Sequence, residues 1–159
     1  MEVLTIKKYE KTGILSINDI TLPSDIYLNK GVAIIECVQE IPCNPCVEIC
    51  PVNAISMKNI NALPMIDYEK CTGCKRCVGI CPGLAIFVIK VKDDKGFITL
   101  PYEFLPIPEV GDIVTALDRE GEPRGKAKIV KVNRKNKTSV ITIEVDKDLI
   151  MEIRNIKSD

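Results

Sequence analysis

Four cysteines stand within twelve residues in the stretch Cys71-Thr-Gly-Cys74-Lys-Arg-Cys77-Val-Gly-Ile-Cys81-Pro82. Their spacing, C-x2-C-x2-C-x3-C-P, is a ligand pattern of [4Fe–4S] clusters. Three cysteines at steps of three residues share one tight loop, so each can bind a different iron atom of one cluster. The fourth lies too far along the chain for that cluster and ligates a second one. The stretch therefore predicts two clusters.

The second cluster needs ligands of its own, and an internal repeat supplies them. A shift of 31 residues places eight of the residues between 74 and 86 on identical residues upstream: Cys43, Cys46, Val47, Ile49, Cys50, Pro51, Ala54 and Ile55. A repeat of this kind determines the architecture of a chain. Here it predicts a core of two halves related by pseudo-two-fold symmetry, with one cluster in each half.

The repeat fails at one ligand position, because the shift places Cys71 on Glu40. The remaining cysteine is Cys37, three residues earlier, and five residues separate it from Cys43. Either Cys37 is the fourth ligand after a longer loop, or Glu40 binds iron through oxygen and Cys37 is a core thiol. Iron–sulfur clusters are held overwhelmingly by thiolates, so we expect Cys37, with Glu40 as the alternative.

The ligand sets follow from the crossed pattern, in which the last cysteine of each run binds the other cluster. Cluster 1 is expected to take Cys37, Cys43, Cys46 and Cys81. Cluster 2 is expected to take Cys50, Cys71, Cys74 and Cys77. Because each set includes a cysteine from the other half, metal binding contributes to folding, and we expect a poorly formed first half without metal.

Disulfides and zinc are the competing uses of eight cysteines. Disulfide frameworks belong to short secreted chains, whereas this chain has 159 residues and begins Met-Glu-Val-Leu-Thr-Ile, without a secretory signal pattern. Zinc sites pair two C-x2-C knuckles or include histidine, and the sequence has no histidine. The pattern therefore favours iron–sulfur clusters.

The composition restricts which partners the chain can bind and in which compartment it can work. The chain has 22 basic and 22 acidic residues, so there is no basic excess for nucleic acid. No apolar run approaches the roughly 20 residues of a membrane span. Free thiols on this scale indicate a reducing compartment, hence the cytoplasm.

The predicted fold class is α+β, in three parts: an N-terminal strand and loop arm (1–30), a ferredoxin-like two-cluster domain (31–93) and a small antiparallel β-barrel-like domain (94–159). Apolar alternation predicts a strand from Leu4 to Tyr9. Helical spacing of Leu149, Ile150, Ile153 and Ile156 predicts a C-terminal helix over residues 148–156. Runs rich in β-branched residues predict further strands at 31–37, 54–57, 64–67, 85–91, 112–117, 126–132 and 138–145.

The central sixty or so residues resemble two-[4Fe–4S] bacterial-type ferredoxins. A wider resemblance rests on three segments: Glu36-Cys37-Val-Gln-Glu-Ile-Pro-Cys-Asn-Pro-Cys46, Pro101-Tyr-Glu-Phe104 and Gly111-Asp-Ile-Val-Thr-Ala-Leu-Asp-Arg-Glu-Gly121. These are similar to the small iron–sulfur subunits of multi-subunit flavin-dependent amino-acid and amine dehydrogenases, such as proline and hydroxyproline dehydrogenase complexes. The resemblance implies electron relay between FAD- or FMN-bearing subunits, which the arm and the barrel would contact. It also supports Cys37 as a ligand.

The expected function is one-electron transfer through both clusters. With all eight cysteines as ligands, neither cluster keeps an open iron site, and no histidine is present as a general base. We therefore expect no catalytic residue in this chain alone. A freestanding ferredoxin carrier is the alternative function, and a macromolecule-binding regulatory module is a further one.

Overall fold

An antiparallel sheet dominates the computed structural model, which describes residues 5–134 and 137–158. Within those residues, seven strands form one sheet in the order β1-β4-β5-β8-β7-β6-β9, and β2 pairs with β3 in a separate hairpin. The strands are β1 (Val32–Ile35), β2 (Ile55–Ser56), β3 (Met65–Ile66), β4 (Ile86–Lys92), β5 (Lys95–Tyr102), β6 (Ile113–Asp118), β7 (Pro123–Asn133), β8 (Ser139–Asp146) and β9 (Ile153–Lys157). The helices are α1 (Lys8–Thr12), α2 (Pro45–Ile49) and α3 (Arg76–Ile80). The strands predicted from residue 31 to residue 145 are confirmed.

Strand β4 joins the cysteine region to the rest of the sheet. Successive side chains of a strand point to opposite faces. Ile86 and Val88 pack with buried cysteines on one face, whereas Phe87 and Ile89 enter the core formed by the C-terminal strands on the other. The cysteine region is therefore anchored on one face of a sheet whose other face has a separate apolar core.

The sheet continues through the predicted boundary between residues 93 and 94. Strands β4 and β5 form a hairpin from the Val88–Thr99 pair to the Lys92–Lys95 pair. The turn uses left-handed backbone conformations at Asp93 (φ 51°) and Asp94 (φ 63°). The two parts on either side of this turn share one set of backbone hydrogen bonds.

The C-terminal strands form an open sheet in place of the predicted barrel. Strand β9 packs against β5, but the two are not neighbours in the hydrogen-bonded order. Closure on β5 is prevented because β5 already pairs with β4 along one edge and with β8 along the other. The described helices have only five residues each, so the fold is mostly β rather than the predicted α+β.

The predicted C-terminal helix is wrong. Lys147–Leu149 forms a single 3-10 turn, and after a turn over residues 150–152 the chain forms β9 from Ile153. Strand β9 pairs with β6, with Ile156 opposite Ala116. Without β9, the outer edge of β6 would carry unpaired N–H and C=O groups, and Ile153 fits equally well into a half-buried strand.

The N-terminal arm differs from the predicted strand. Leu4 lies outside the described residues, and Lys8–Thr12 forms α1. The Lys7 N–H donates to the Glu10 carboxylate at 2.6 Å, and Gly13 ends the helix with φ 72°. These are helix start and stop signals, which outweigh the short apolar alternation. No helix in residues 5–134 or 137–158 has the length and apolarity to cross a membrane.

The 31-residue repeat recurs in local structure. Helices α2 and α3 occupy equivalent positions. The Glu36 N–H donates to the Ala85 carbonyl, and the equivalent Asp67 N–H donates to the Ala54 carbonyl, both at 2.8 Å. The same sequence unit therefore builds the same backbone pairing twice.

Candidate metal centre

Four of the predicted ligands surround one small cavity beside β1 and β4. They are Cys50, Cys71, Cys74 and Cys77, which we call the second quartet. Cys50 follows α2, whereas the other three belong to the loop that leads into α3 and to α3 itself. Ala33 and Val88 close the cavity from the sheet. Three cysteines from one copy of the repeat and one from the other thus face a common space.

The loop of the second quartet is shaped by unusual backbone conformations. Gly73 (φ 67°) and Lys75 (φ 73°) both adopt the left-handed region, which curves the chain around the cavity. A Cβ on Gly73 would lie 2.8 Å from the Gly31 carbonyl oxygen. Glycine is therefore required at this position both by φ and by the close approach of the loop to the start of β1.

The other four predicted ligands surround a second small cavity. They are Cys37, Cys43, Cys46 and Cys81, which we call the first quartet. Pro45 and Pro82 also line the cavity, so two rigid residues restrict the ligand loops. Glu40 is exposed and is not among the described residues that line this cavity.

One buried thiol in each quartet has a pKa well above the usual value for cysteine. Burial raises the pKa of Cys46 to about 11, with smaller contributions from the charges of Cys81, Cys43 and Cys37. Burial likewise raises the pKa of Cys77 to about 12, with contributions led by Cys71 and Cys74. These two thiols are protonated at neutral pH in the bare chain. The thiolates needed to bind iron therefore require the positive charge of the metal, so assembly releases protons.

Backbone donors already point at two of the sulfur atoms. The Ala33 N–H donates to Cys71 Sγ at 3.4 Å, and the Ala54 N–H donates to Cys50 Sγ at 3.3 Å. Hydrogen bonds to ligating sulfur stabilise the thiolate and tune the reduction potential of a cluster. Both acceptor sulfurs belong to the second quartet.

The donor sets fit iron–sulfur clusters. All eight cysteines lie in the described part of the chain and are free thiols. Within that part, no three cysteines or carboxylates approach closely enough to hold a single metal ion. Each thiolate of a [4Fe–4S] cluster binds a separate iron atom, so the four sulfurs are spread around the cluster. Each cavity is lined by four cysteines, which is the number of thiolates that one such cluster binds.

A buried ion-pair cluster adjoins the first quartet. Glu36 Oε1 accepts a hydrogen bond from Arg119 Nε, and Glu36 Oε2 accepts one from Arg154 Nε, both at 2.5 Å. Burial lowers the pKa of Arg154 to about 10, against the opposing effect of Glu36, so the guanidinium is charged at neutral pH. This cluster ties the residue before Cys37 to the C-terminal strands. Sequence reasoning missed it, because Arg119 and Arg154 lie 83 and 118 residues from Glu36, and no local spacing connects them to it.

Comparison with known proteins identifies the cysteine region. Residues 36–85 match the 4Fe-4S dicluster domain family. The chain is 48% identical over 44 residues to an uncharacterized ferredoxin of Methanocaldococcus jannaschii, which covers 28% of each protein. No solved structure matches the chain significantly.

Two further relatives are named as parts of oxidoreductases. The chain is 45% identical over 38 residues to a subunit of the sulfite dehydrogenase of Allochromatium vinosum, covering 24% of this chain and 16% of the relative. It is 45% identical over 47 residues to the polyferredoxin-like subunit of an aliphatic sulfonate oxidoreductase of Pyrococcus furiosus, covering 30% and 27%. The chain thus spans less than a third of each of these relatives. The dicluster match gives the cofactors as two [4Fe–4S] clusters.

Proposed function

We propose that the chain transfers electrons through its two [4Fe–4S] clusters, with ligands crossed between two halves related by pseudo-two-fold symmetry. The first quartet would hold cluster 1, with Cys37 rather than Glu40 as its fourth ligand, and the second quartet would hold cluster 2. The observation that carries the proposal is the crossing. Cys81 follows α3 but lines the cavity of Cys43 and Cys46, and Cys50 follows α2 but lines the cavity of Cys71 and Cys77.

The chain's own residues bind the clusters and control their surroundings. Each [4Fe–4S] cluster, when bound, accepts or releases one electron at a potential set by its environment. Val78 and Ile86 are almost fully buried in the core that contains Cys46, Cys71 and Cys77, so they exclude water from this region. With eight thiolates for eight iron atoms, no iron is left open to a substrate, so the chain supplies electron transfer rather than catalysis.

The proposed setting is the iron–sulfur subunit of a cytoplasmic flavin-dependent oxidoreductase, of the amino-acid or amine dehydrogenase type. Resemblance in residues 36–46, 101–104 and 111–121 supports the flavoprotein partner. Relatives named as subunits of oxidoreductases support a place in a complex. The arm and the strands β5–β9 would supply contacts to the flavin-bearing subunits.

A freestanding carrier is the second candidate, because one relative is named as a ferredoxin. Anaerobic purification from the native source separates the two candidates by native mass and flavin content. An iron–sulfur subunit elutes with larger, flavin-containing proteins at constant stoichiometry. A freestanding carrier elutes at its own mass with its clusters and without flavin, and this result would overturn the subunit proposal.

A further inference from the structure

A lysine-lined groove of about 380 Å³ lies beside the loop of the second quartet. We define it by its four lysines, which come from three separate segments: Lys30, Lys75, Lys90 and Lys92. The side chain of Phe97, which is half-buried, also lines it. No carboxylate occurs among the described residues that line the groove.

Three of these lysines have no partner within the described part of the chain. Lys75, Lys90 and Lys92 form no ion pair and no side-chain hydrogen bond with any residue in 5–134 or 137–158. Lys30 instead donates to the backbone carbonyls of Tyr68 at 2.6 Å and Glu69 at 3.0 Å. Those contacts use neutral acceptors, so its positive charge is not neutralised either. Lys30 Nζ also lies 5.2 Å from the centroid of the Tyr27 ring. None of the four lysines of the groove is therefore paired with a carboxylate among the described residues.

This concentration of charge is local rather than general. The chain as a whole has equal numbers of basic and acidic residues. The surroundings add a further cation, because Lys131 on β7 lies close enough to Lys75 to act on it electrostatically. Carboxylates are present nearby, because Glu144 stands opposite Phe97 on the neighbouring strand and Asp93 follows Lys92 in the chain, but neither lines the groove. The positive charges of these lysines repel one another, and an anionic group bound in the groove would relieve that repulsion.

The groove is held rigidly next to the cluster ligands. Lys90 and Lys92 alternate along β4 and share one face of the sheet, and Lys90 pairs in register with Phe97. At the other end, Gly73 of the ligand loop lies directly against Gly31. Cys74, in the same loop, is exposed. A molecule in the groove would therefore lie within contact of the loop that binds cluster 2.

We propose that this groove is the docking surface for a redox partner protein with an acidic face, which exchanges electrons at cluster 2 rather than at cluster 1. The inference rests on the proposed electron-transfer function. Carboxylates of the partner would pair with the four lysines, and an apolar side chain would contact Phe97. A protein surface offers both kinds of contact, and its opposite charge would speed association.

Charge reversal of the groove tests the proposal on the cluster-loaded full-length chain. The test variant is Lys90→Glu/Lys92→Glu, and the matched control is Lys8→Glu/Lys11→Glu on α1. The reduced protein is mixed anaerobically with an anionic oxidant, tris(oxalato)cobaltate(III), or a cationic one, tris(ethylenediamine)cobalt(III). At low ionic strength, we expect the groove variant to slow the anionic reaction about ten-fold and to leave the cationic reaction equal or faster. The control variant should change either rate less than about two-fold, and salt should abolish the difference.

Binding probes identify the class of partner. A labelled peptide of ten glutamates and a labelled ten-nucleotide single-stranded DNA are titrated against the same proteins. We expect the peptide to bind and the groove variant to bind it about ten-fold more weakly. Tighter binding of DNA than of the peptide would overturn the proposal in favour of nucleic acid, and equal binding by variant and wild type would overturn the groove as the site. If dithionite fails to bleach the visible absorbance of the clusters, the electron-transfer function itself fails, which is a separate result.

Discussion

The two cysteine quartets arise from one repeat but are held in place by different forces. In the second quartet, the ligand loop packs directly on the sheet, with Gly73 against Gly31 and the Ala33 N–H donating to Cys71. In the first quartet, five residues separate Cys37 from Cys43. There the anchor is electrostatic, because Glu36 binds the buried Arg154 and the partly buried Arg119.

Equivalent positions show how far the two halves have diverged. The 31-residue shift places Glu36 on Asp67, and both donate the same backbone hydrogen bond. Glu36 is 7% exposed and pairs with two arginines. Asp67 is exposed, and its Oδ2 atom lies 3.6 Å from Lys70 Nζ. The repeat therefore preserves the backbone frame of the clusters, while side-chain anchoring is specific to each site.

Removal of iron should have the largest effect, because both quartets lose the groups that hold them together. We expect the backbone amides of residues 37–82 to lose protection from hydrogen exchange in the iron-free chain, since metal binding contributes to their folding. Strands β5 to β9 should stay protected, because their core contains no cysteine. Hydrogen exchange with mass spectrometry, before and after chelation, measures both regions. Uniform loss of protection over the whole sheet would contradict separate anchoring of the two regions.

Loss of a crossed ligand should remove one cluster at a time. Cys81→Ala should damage cluster 1, although Cys81 belongs to the second copy of the repeat, and Cys50→Ala should damage cluster 2. Iron and sulfide analysis of each purified variant should give about half of the wild-type content. The double variants Cys81→Ala/Cys46→Ala and Cys81→Ala/Cys77→Ala distinguish the assignments. If the ligands are crossed, Cys81→Ala/Cys46→Ala still loses only cluster 1, whereas Cys81→Ala/Cys77→Ala loses both clusters. The opposite outcome would show uncrossed ligation.

Loss of the ion pairs between Glu36 and the two arginines should have the next largest effect, on the free energy of unfolding. Glu36→Ala leaves the buried Arg154 and the partly buried Arg119 without their carboxylate, and we expect a loss of about 3–5 kcal/mol in the free energy of unfolding. Asp67→Ala is the matched control and should cost less than about 1 kcal/mol, because its ion pair is solvent-exposed. Anaerobic denaturation of the cluster-loaded proteins measures both. Equal losses in the two variants would show that the ion-pair cluster does not anchor the first site.

Disruption of the close contact between Gly73 and Gly31 should have the smallest effect on stability. Gly73→Ala combines strain at φ 67° with a Cβ placed 2.8 Å from the Gly31 oxygen. Gly13→Ala has similar strain, with φ 72°, but its Cβ would meet nothing within 4 Å. We expect Gly73→Ala to cost about 1–3 kcal/mol more than the control, because of the clash alone. The thermal midpoint of cluster bleaching is the readout, and equal midpoints would show that the loop does not depend on close packing.

The features predictable from sequence are those set by short-range spacing. Ligand runs and the repeat predicted the two quartets, and the structure places each quartet around one cavity. Strands rich in β-branched residues, such as β4 and β8, were predicted because their burial leaves a local pattern. The match to the 4Fe-4S dicluster domain covers the same region.

The features missed depend on long-range competition. The three-residue spacing of Ile153 and Ile156 fits a helix rather than a regular strand. Pairing with β6 nevertheless makes this segment a strand, and a register shift between Asn155 and Ile153 accompanies the burial of both isoleucines in one core. Barrel closure depended on whether β5 had an unpaired edge, which its own sequence does not show. The partners of Glu36 lie far along the chain, and the lysine groove unites residues 30, 75, 90 and 92 only after folding.

The central claim is that the two quartets together hold two neighbouring [4Fe–4S] clusters. Electron paramagnetic resonance of the anaerobically prepared, fully reduced chain, combined with iron and sulfide analysis, tests it most directly. We predict about eight iron and eight sulfide ions per chain and a spectrum broadened by magnetic interaction between two reduced clusters. About half that iron content with a single uncoupled signal, or stoichiometric zinc in place of iron and sulfide, would contradict the claim.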